Sequence, residues 1–491
     1  MPLLTNNTIG KQQIINIKKG VSNKDTPFLI TFIHKGISSQ IFLYSSLSRL
    51  FCYILHDVHI NTSLKTTFTP TKYENYMKRT LCTMKTKLII LLLASTLTAG
   101  AQMYFGTKKE VPDSVFNALA QTPPMGWNSW NKFGCNVSEQ LIKEMADAMI
   151  ATGMKDAGYE YLVIDDCWQV GRDEEGNIQV DPKRFPNGMK ALADYVHAKG
   201  LKMGIYSCAG SETCQGRPGS RGYQFQDART YAAWGIDYLK YDWCSNEGQK
   251  AEAAYRTMSD ALKACGRPIV FSICEWGENE PWKWGKGIGH LWRITPDIRD
   301  CYQCVFDWGG VGVLDIIDKM ADLYPYAGPG HWNDAEMLEV GNGGMTRDEY
   351  ITHFSMWCML AAPLMSGNDL RNMDKETIEI LTNKEVIAIN QDKKGEQARR
   401  FMDMGEKEIW AKPLNDGELA VCFMNRTENS WKLDYDWKKQ TIYFADEVNI
   451  HRKEYKIRDL WQHKDIGTTE RNTRHEIPAH GVLMVRLTPI K

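Results

Sequence analysis

Short apolar segments alternate with amphipathic ones between residues 121 and 393. The predicted strands cover Pro124–Trp130, Tyr161–Trp168, Leu201–Ser207, Asp237–Cys244, Pro268–Glu275 and His290–Ile294, and a last apolar run covers Met356–Met365. Segments with helical spacing separate them, over Ser138–Gly153, Asn187–Lys199, Asp227–Trp234 and Ala251–Ala264. Strands that alternate with helices at this spacing are typical of a parallel sheet.

Polar residues recur at the carboxyl ends of these strands. They are Asp165, Asp166, Tyr206, Asp242, Glu275 and Arg293, with Asp297 in the loop that follows the last of them. A (β/α)8 barrel keeps its active site at that end. An open doubly wound sheet is the competing interpretation, but no G-x-G-x-x-G or Walker-type phosphate loop follows any predicted strand. We therefore predict a (β/α)8 TIM barrel over residues 121–393.

Lys240 and Asp242 are two residues apart on a predicted strand, so their side chains lie on the same face. Burying a lysine and a carboxylate together is costly. The pair is explained if Lys240 keeps Asp242 ionised and both contact a polar ligand. A structural ion pair at the strand end is the alternative that these two residues leave open.

The pattern changes near Asp392. Short alternating segments follow at Ile409–Lys412, Leu419–Met424, Thr441–Phe444 and Leu483–Leu487, separated by turn signals such as Asn-Asp-Gly and Ala-His-Gly. Regularly spaced short strands of this kind predict an antiparallel β-sandwich over residues 394–491.

The segment 84–101 has the features of a secretory signal peptide. A basic start precedes a short apolar run and small residues, with the cleavage site predicted between Ala101 and Gln102. The run is too short for a membrane span, although an uncleaved anchor is the alternative. We interpret residues 1–83 as a non-native upstream extension, with translation beginning at Met84 or Met77, and residues 102–120 as a lead-in. The mature chain is then exported, to the periplasm or the medium.

Composition bears on partners and on cysteine pairing. The formal net charge of −1 over 491 residues gives no electrostatic reason to expect nucleic acid as a partner. The 16 Trp and 21 Tyr suit a cleft lined with aromatic faces for a sugar, with core packing as the alternative for many of them. Thirteen cysteines include Cys52 and Cys82 in the upstream extension, so an odd number follows it and at least one should be unpaired.

The carboxylates at the strand ends fit glycoside hydrolysis. That reaction needs two carboxyl groups, about 5–5.5 Å apart in a retaining enzyme. Asp242 suits the nucleophile because Lys240 is near, and Asp297, with no cation two residues away on a strand, suits an acid with a raised pKa. A divalent metal site is the rival interpretation. No histidine stands at ligand spacing, and Lys240 and Arg293 would repel a cation, so no metal or cofactor is predicted.

Residues 122 to about 395 resemble glycoside hydrolase family 27, the α-galactosidase (melibiase) family. The matching motifs are Pro124-Met-Gly-Trp127, Ile164-Asp-Asp-Cys-Trp168, Asp181-Pro-Lys-Arg-Phe-Pro186, Gly204-Ile-Tyr206, Lys240-Tyr-Asp242, Cys274-Glu-Trp276, Trp292-Arg293, Ala327-Gly-Pro-Gly330, Trp332-Asn-Asp334 and Ile389-Asn-Gln-Asp392. The resemblance implies a barrel followed by a β-sandwich, and retaining, cofactor-free hydrolysis of terminal α-galactosides.

The resemblance also assigns roles. Asp242 matches the nucleophile and Asp297 the acid/base, while Asp165 and Asp166 match the pair that binds the galactose 4- and 6-hydroxyls. Further sugar contacts are implied for Trp130, Tyr206, Lys240, Glu275 and Arg293. Two disulfides are implied, Cys135 with Cys167 and Cys214 with Cys244, which an exported chain permits.

Three positions depart from the family pattern. Glu336 stands in Asp334-Ala-Glu336 where the family commonly has Asp-Pro-Asp, so the expected sugar contact is one methylene longer. The usual partner of Cys274 falls near Gly289, so Cys274 is expected to be free. Cys301 and Cys304 have no counterpart in the pattern, and the sequence leaves their role open.

The residues at the site also bear on specificity. Glu275 stands where relatives that prefer N-acetylgalactosamine have small residues, so it argues for galactose. Asp165 and Asp166 together favour a galactoside over a β-L-arabinopyranoside, although one missing group shifts preference by only ~1–3 kcal/mol. A non-catalytic galactose-binding protein is disfavoured because both catalytic aspartates are present. The predicted function is therefore an exo-acting α-galactosidase of unspecified oligomeric state.

Overall fold

The structure, a computed structural model, describes residues 110–307, 309–439, 442 and 450–490. The predicted signal peptide and the upstream extension lie outside the described residues, as does nearly all of the predicted strand Thr441–Phe444.

The barrel is built from eight of the first ten strands. The ten are β1 (Met125–Asn128), β2 (Tyr161–Val163), β3 (Gln169–Arg172), β4 (Ile178–Val180), β5 (Lys202–Cys208), β6 (Tyr238–Asp242), β7 (Val270–Cys274), β8 (Leu291–Arg293), β9 (Trp332–Asp334) and β10 (Leu364–Ser366). The sheet has the order β10-β1-β2-β5-β6-β7-β8-β9, and every neighbouring pair is parallel. Strands β3 and β4 form a separate hairpin.

The two edges of this sheet meet after β9. Leu338 forms a parallel bridge with Ser366 of β10, the Leu338 N–H donates to the Met365 carbonyl at 2.7 Å, and the Gly367 N–H donates to the Leu338 carbonyl at 3.0 Å. The sheet is therefore closed, and the predicted (β/α)8 barrel is confirmed.

Twelve α-helices are described. They are α1 (Asp113–Phe116), α2 (Trp130–Phe133), α3 (Glu139–Ala151), α4 (Met154–Ala157), α5 (Gly188–Ala198), α6 (Gln224–Trp234), α7 (Ala251–Ala264), α8 (Pro281–Trp284), α9 (Val313–Met320), α10 (Arg347–Met359), α11 (Lys375–Leu381) and α12 (Lys384–Asn390). Ser138 caps α3, its Oγ accepting from the Leu141 N–H at 3.2 Å. Gly153 follows in the left-handed region with φ of 81°, which ends the helix.

Helix α10 was missed by the sequence pattern, and its burial explains why. All of its residues from Tyr350 to Met359 are buried, so it lacks an amphipathic stripe. The predicted apolar run Met356–Met365 is in fact the end of α10 followed by β10. Strand β2 likewise stops at Val163, which places Asp165 and Asp166 in the loop after the strand.

The C-terminal part folds as antiparallel strands. They are β11 (Arg399–Asp403), β12 (Lys407–Pro413), β13 (Leu419–Asn425), β14 (Trp431–Tyr435), β15 (Tyr455–Asp459), β16 (Lys464–Thr468), β17 (Thr473–Ile477) and β18 (Val482–Pro489). Six form one sheet in the order β11-β12-β13-β18-β15-β16, and β14 pairs with β17 in a second. A core that includes Phe423, Trp437 and Leu483 packs between them, and the predicted β-sandwich is confirmed.

Among the helices of the described residues, we find none whose length and hydropathy would let it cross a bilayer.

Candidate active site

The strand ends of the barrel bring the predicted polar residues together. Asp242 is the last residue of β6 and Arg293 the last of β8. Tyr206 of β5 is paired in register with Lys240 of β6, so both reach the same end of the barrel. Asp297 follows β8 by four residues. Because parallel strands end at one face, residues far apart in sequence converge there.

A cleft of about 310 Å³ opens at this face. Its walls are formed by Trp130, Asp165, Asp166, Tyr206, Cys214, Lys240, Asp242, Trp276 and Asp297. Seven of these are residues that the sequence assigned to the site, including both proposed catalytic aspartates. With several carboxylates and three aromatic residues in its walls, the cleft suits a small polar ligand such as a single sugar unit.

Asp242 is held by two directional hydrogen bonds. Its Oδ2 accepts from the Tyr206 hydroxyl at 2.9 Å, and its Oδ1 accepts from the Trp243 N–H at 2.9 Å. Burial raises the pKa of the Asp242 carboxyl to about 6, while Lys240 opposes that rise and Asp297 adds to it. The carboxyl is therefore fixed in orientation and protonates more readily than an exposed aspartate.

Asp297 is half-buried and paired with a cation. Its Oδ1 lies 3.0 Å from Nη2 of Arg293, a side chain that is only 2% exposed. Burial would raise the pKa of the Asp297 carboxyl, but Arg293 and Lys240 outweigh it and the net pKa is lowered. The expectation of a raised pKa at Asp297 is therefore wrong for the ligand-free site, because the turn after β8 returns the chain to Arg293.

Lys240 pairs with a different aspartate from the one expected. Its Nζ lies 2.8 Å from Oδ2 of Asp165, and the same oxygen accepts from Asn128 Nδ2 at 2.8 Å. The ion pair joins β6 to the loop after β2, and Lys240 acts on Asp242 only through space. The predicted direct pairing of Lys240 with Asp242 is thus corrected to Lys240 with Asp165.

Asp166 is buried beside Asp165. Its Oδ1 accepts from the Cys167 N–H at 2.6 Å and its Oδ2 from the Gln215 N–H at 3.0 Å. Burial raises the pKa of Asp166, with Thr213 and these backbone donors acting against the rise. Asp165 and Asp166 are 2% and 1% exposed, so they are the most buried carboxylates in the cleft wall.

Arg293 and Glu336 line a neighbouring inner cavity of about 340 Å³, which shares Lys240 with the cleft. Glu336 Oε1 lies 3.1 Å from Arg293 Nη1, and its Oε2 accepts from the Ile298 N–H at 3.1 Å. Glu336 therefore contacts Arg293, which is paired with Asp297, and Ile298, which follows Asp297 in the chain. The longer side chain noted in the sequence is used for these contacts within the protein.

Glu275 lines neither cavity. Its Oε2 accepts from the backbone N–H and from Nδ2 of Asn279, both at 2.7 Å. Burial raises the pKa of Glu275 to about 7. Its contact with a sugar stays a prediction, and this structure places its carboxylate against Asn279.

The sequence assigns no role to Asn128, whereas Trp276 is one of the loop tryptophans that suit a sugar-binding cleft. Asn128 ends β1 and holds Asp165, and Trp276, with φ of 59°, forms part of the cleft wall. Asn128 carries the same signal as the others, a polar residue at the carboxyl end of a strand. Trp276 follows Glu275 in a matched motif, and its adjacent position was a usable signal.

Three disulfides are described. Cys135 is joined to Cys167, Cys214 to Cys244, and Cys301 to Cys304, whereas Cys274 has a buried free thiol. Within the described residues, the one group with the spacing of a metal site is Cys214, Asp242 and Cys244. Its two sulfurs are bonded to each other and cannot act as thiolate ligands.

Comparison with known proteins shows which family this chain matches. The model described as "Alpha galactosidase A" matches residues 122–392, and the "Alpha galactosidase C-terminal beta sandwich domain" matches residues 404–487. An α-galactosidase A from Cellvibrio japonicus is 54% identical over 76% of this chain and 94% of its own length. An α-galactosidase from Cyamopsis tetragonoloba is 47% identical over 76% and 88%.

The same likeness holds in three dimensions. The crystal structure of α-galactosidase I from Mortierella vinacea aligns with a TM-score of 0.72 at 41% identity, covering 76% of this chain and 98% of that one. The family models match both domains of this chain. The chain therefore belongs to the α-galactosidase family of glycoside hydrolases, the family 27 that its motifs resemble.

Proposed function

We propose that this protein is a retaining, exo-acting α-galactosidase that removes terminal α-D-galactosyl residues from oligosaccharides, polysaccharides or glycoconjugates. The single observation that carries the proposal is that Asp242 and Asp297 line one cleft together with the buried carboxylates of Asp165 and Asp166. Buried carboxylates in the cleft wall accept hydrogen bonds from the hydroxyl groups of a terminal sugar, which suits exo action.

The chemistry proceeds in two displacements. The Asp242 carboxylate attacks the anomeric carbon while Asp297 gives a proton to the departing glycosidic oxygen, which forms a β-linked galactosyl-enzyme and releases the alcohol. Water, deprotonated by Asp297, then attacks the same carbon from the opposite face and frees Asp242. Two inversions give net retention, so the released galactose is the α-anomer.

In the first displacement Asp297 must be protonated and Asp242 ionised. In the ligand-free structure Asp242 has the higher pKa of the two, so the proton resides on Asp242. Arg293 is the group that keeps Asp297 ionised. A sugar hydroxyl that accepts from Arg293 weakens that pair, and the bound ring removes water from the cleft. Both effects raise the pKa of Asp297 relative to the free site. We infer that substrate binding moves the proton from Asp242 to Asp297.

The stereochemistry of azide products tests the two roles. In Asp242→Gly, azide replaces the lost nucleophile and attacks the substrate directly, so an activated aryl α-galactoside should give β-galactosyl azide. In Asp297→Gly, azide attacks the galactosyl-enzyme on Asp242 and should give α-galactosyl azide. Without azide, each variant should lose at least about a thousandfold in kcat on melibiose.

Unfolding curves that match the wild type would show that each variant is folded. If Asp242→Gly gave the α-azide and Asp297→Gly the β-azide, the two roles would be reversed. Wild-type turnover by Asp242→Gly would show that Asp242 is not the nucleophile. Initial rates of hydrolysis should also be measured with and without a chelator. The proposed two-aspartate mechanism predicts that the two rates are equal.

We also propose that the chain is exported and cleaved after Ala101, with residues 121–393 as the catalytic domain and 394–491 as the sandwich domain. The apolar segment at 84–101 supports export, as do the disulfides described around the cleft. Amino-terminal sequencing of the secreted protein should begin at Gln102. A retained, uncleaved segment would contradict this proposal without touching the catalytic one.

A further inference from the structure

Glu336 is a buried carboxylate in the wall of the inner cavity, and the two displacements described above give it no role. It is 5% exposed. Burying a carboxylate is costly unless its oxygens are paired or hydrogen-bonded. Each oxygen of Glu336 has a partner, and each partner is in turn connected to Asp297.

The first partner is the guanidinium of Arg293, which lies between two carboxylates. Its Nη1 is 3.1 Å from Oε1 of Glu336, and its Nη2 is 3.0 Å from Oδ1 of Asp297. Nη2 also donates to the Thr295 carbonyl at 3.1 Å. Because Arg293 is 2% exposed, these two carboxylates rather than water balance its charge. Without the charge of Glu336, Arg293 would hold Asp297 more firmly in its ionised form.

The second partner is the backbone that carries Asp297. Oε2 of Glu336 accepts from the N–H of Ile298, the residue after Asp297, at 3.1 Å. Both oxygens of Glu336 therefore face donors, and a proton on either oxygen would point at another proton. This arrangement suits an ionised carboxylate, which only accepts hydrogen bonds.

The charged groups around Glu336 act in opposite directions. Burial raises the pKa of its carboxyl, and the charges of Asp297 and Asp334 add to the rise. The cations of Arg293 on β8 and Lys240 on β6 oppose it. Glu336 is thus part of the same charge cluster as the acid/base, and a change at Glu336 alters the charge that Asp297 experiences.

The backbone of Glu336 is held in a conformation that favours glycine. Its φ is 77°, which costs energy in a residue with a large side chain. Its N–H donates to Oδ1 of Asp334 at 2.9 Å, and its carbonyl accepts from Nε1 of Trp357 at 2.9 Å. The surrounding structure therefore fixes the Glu336 side chain where it meets Arg293 and Ile298.

We propose that Glu336 is a positioning residue for the acid/base: it shares Arg293 with Asp297 and holds the chain at Ile298, so that Asp297 can carry the proton for the leaving group. The contact between Glu336 and the sugar that the sequence predicts is the alternative. A positioning role affects only leaving groups that need a proton. A sugar contact affects the galactosyl ring, which all substrates share.

Two substrates that differ by one nitro group separate these roles. Phenyl α-galactoside needs a proton on its leaving oxygen, whereas p-nitrophenolate is stable enough to depart without one. In Glu336→Gln the side chain has no charge and a single acceptor oxygen for two donors. Its kcat/KM for phenyl α-galactoside should fall roughly tenfold, while kcat/KM for p-nitrophenyl α-galactoside should stay within about twofold of the wild type.

Two further variants serve as controls. Glu336→Asp keeps the charge near Arg293, so its selective loss on phenyl α-galactoside should be smaller than that of Glu336→Gln. It also carries the same comparison if Glu336→Gln does not fold. Glu385→Gln removes a glutamate from a pair with Arg458 between α12 and β15, and it should leave both values unchanged.

Equal losses on the two substrates would overturn the positioning role, because a sugar contact or a purely structural role affects both alike. An unchanged value for phenyl α-galactoside would overturn it as well. The inference rests on the proposed function, and the wild type tests that function separately. If the wild type turned over neither galactoside, the proposed function itself would fail.

Discussion

Asp242 and Asp297 carry a single proton between them just below pH 6 in the ligand-free site. The Asp242 carboxyl has a pKa of about 6 beside an ionised Asp297, whose own pKa Arg293 keeps low. The pair therefore titrates in two steps that belong to both groups together. Between the two steps the pair carries one proton, which is the protonation state that a nucleophile and an acid require.

This arrangement predicts an acidic optimum for kcat/KM. Above about pH 6 the pair loses its only proton, no acid remains for the leaving group, and kcat/KM should fall with rising pH. At low pH the pair gains a second proton and the nucleophile is lost. Initial rates at low melibiose concentration, measured from pH 3 to pH 8, should give a bell with its basic limb near pH 6.

Tyr206→Phe tests the origin of that limb. The Tyr206 hydroxyl donates to Asp242 and favours its ionised form, so removing it should raise the pKa of the pair and move the basic limb to higher pH. A merely structural role for Tyr206 would lower the rate at every pH and leave the limb in place. Tyr223→Phe, at an exposed tyrosine outside the cleft lining, is the matched control.

For individual residues, the sequence predicts which side chains lie at the site better than it predicts which of them form ion pairs with each other. Position at a strand end placed Asp165, Asp242 and Asp297 correctly at one face. The partner of Lys240 was wrong because Asp165, 75 residues away, competes for it through the fold. The pairing of Asp297 with Arg293 depends on the path of the turn after β8, which residue types alone do not fix.

At the scale of elements, Glu339 links two segments that shape the cleft. Its Oε1 accepts from Asn131 of α2 at 2.5 Å, next to Trp130, and its Oε2 accepts from Asn342 at 2.5 Å in the loop after β9. Glu339 is 3% exposed, and burial raises the pKa of its carboxyl to about 8. Periodicity gave no sign of this link, because it joins the four-residue helix α2 to the loop after β9, and neither is long enough to show a pattern.

The raised pKa predicts a pH-dependent stability. The folded state keeps a proton on Glu339 that the unfolded state has already lost, from the ordinary value of 4.5 up to about 8, so rising pH in that window weakens the fold. Glu339→Gln removes this dependence and should become more stable than the wild type towards pH 8, by at most about 1.4 kcal/mol for each pH unit.

Urea unfolding at pH 5, 6.5 and 8 would measure that difference. Glu379→Gln, at an exposed carboxylate on α11, should show a difference from the wild type that does not change with pH. A difference for Glu339→Gln that is equally flat would show that Glu339 titrates normally in the folded state.

At the scale of the whole molecule, one face of the sandwich packs into the hydrophobic core of the barrel. Trp410, Met424 and Met484 of the sandwich belong to the same cluster as the buried faces of α10 and the barrel. Arg458 of β15 adds a two-point pair with Glu385 of α12, at 2.6 and 2.8 Å. A hydrophobic cluster shared by two domains should unfold in one cooperative transition, and it explains why α10 is buried on every side from Tyr350 to Met359.

The buried Lys412 lowers the stability of this shared core. Its side chain on β12 is fully buried, and Nζ donates to the Cys358 carbonyl of α10 at 3.2 Å. Burial lowers the pKa of Lys412 to about 8 from an ordinary value of 10.5. The unfolded state therefore holds this proton more tightly, so the cost is fully present below about pH 8 and disappears as pH approaches 10.5.

Lys412→Met keeps the length of the side chain and removes the buried charge, so at pH 7 it should raise the free energy of unfolding by about 1–3 kcal/mol. The gain should shrink between pH 8 and pH 10, because the wild-type lysine becomes neutral there. Lys375→Met, at an exposed lysine on α11, should change stability little at either pH. A variant that is less stable than the wild type at pH 7 would mean that the bond to Cys358 outweighs the desolvation of Lys412, and that the interface depends on the lysine.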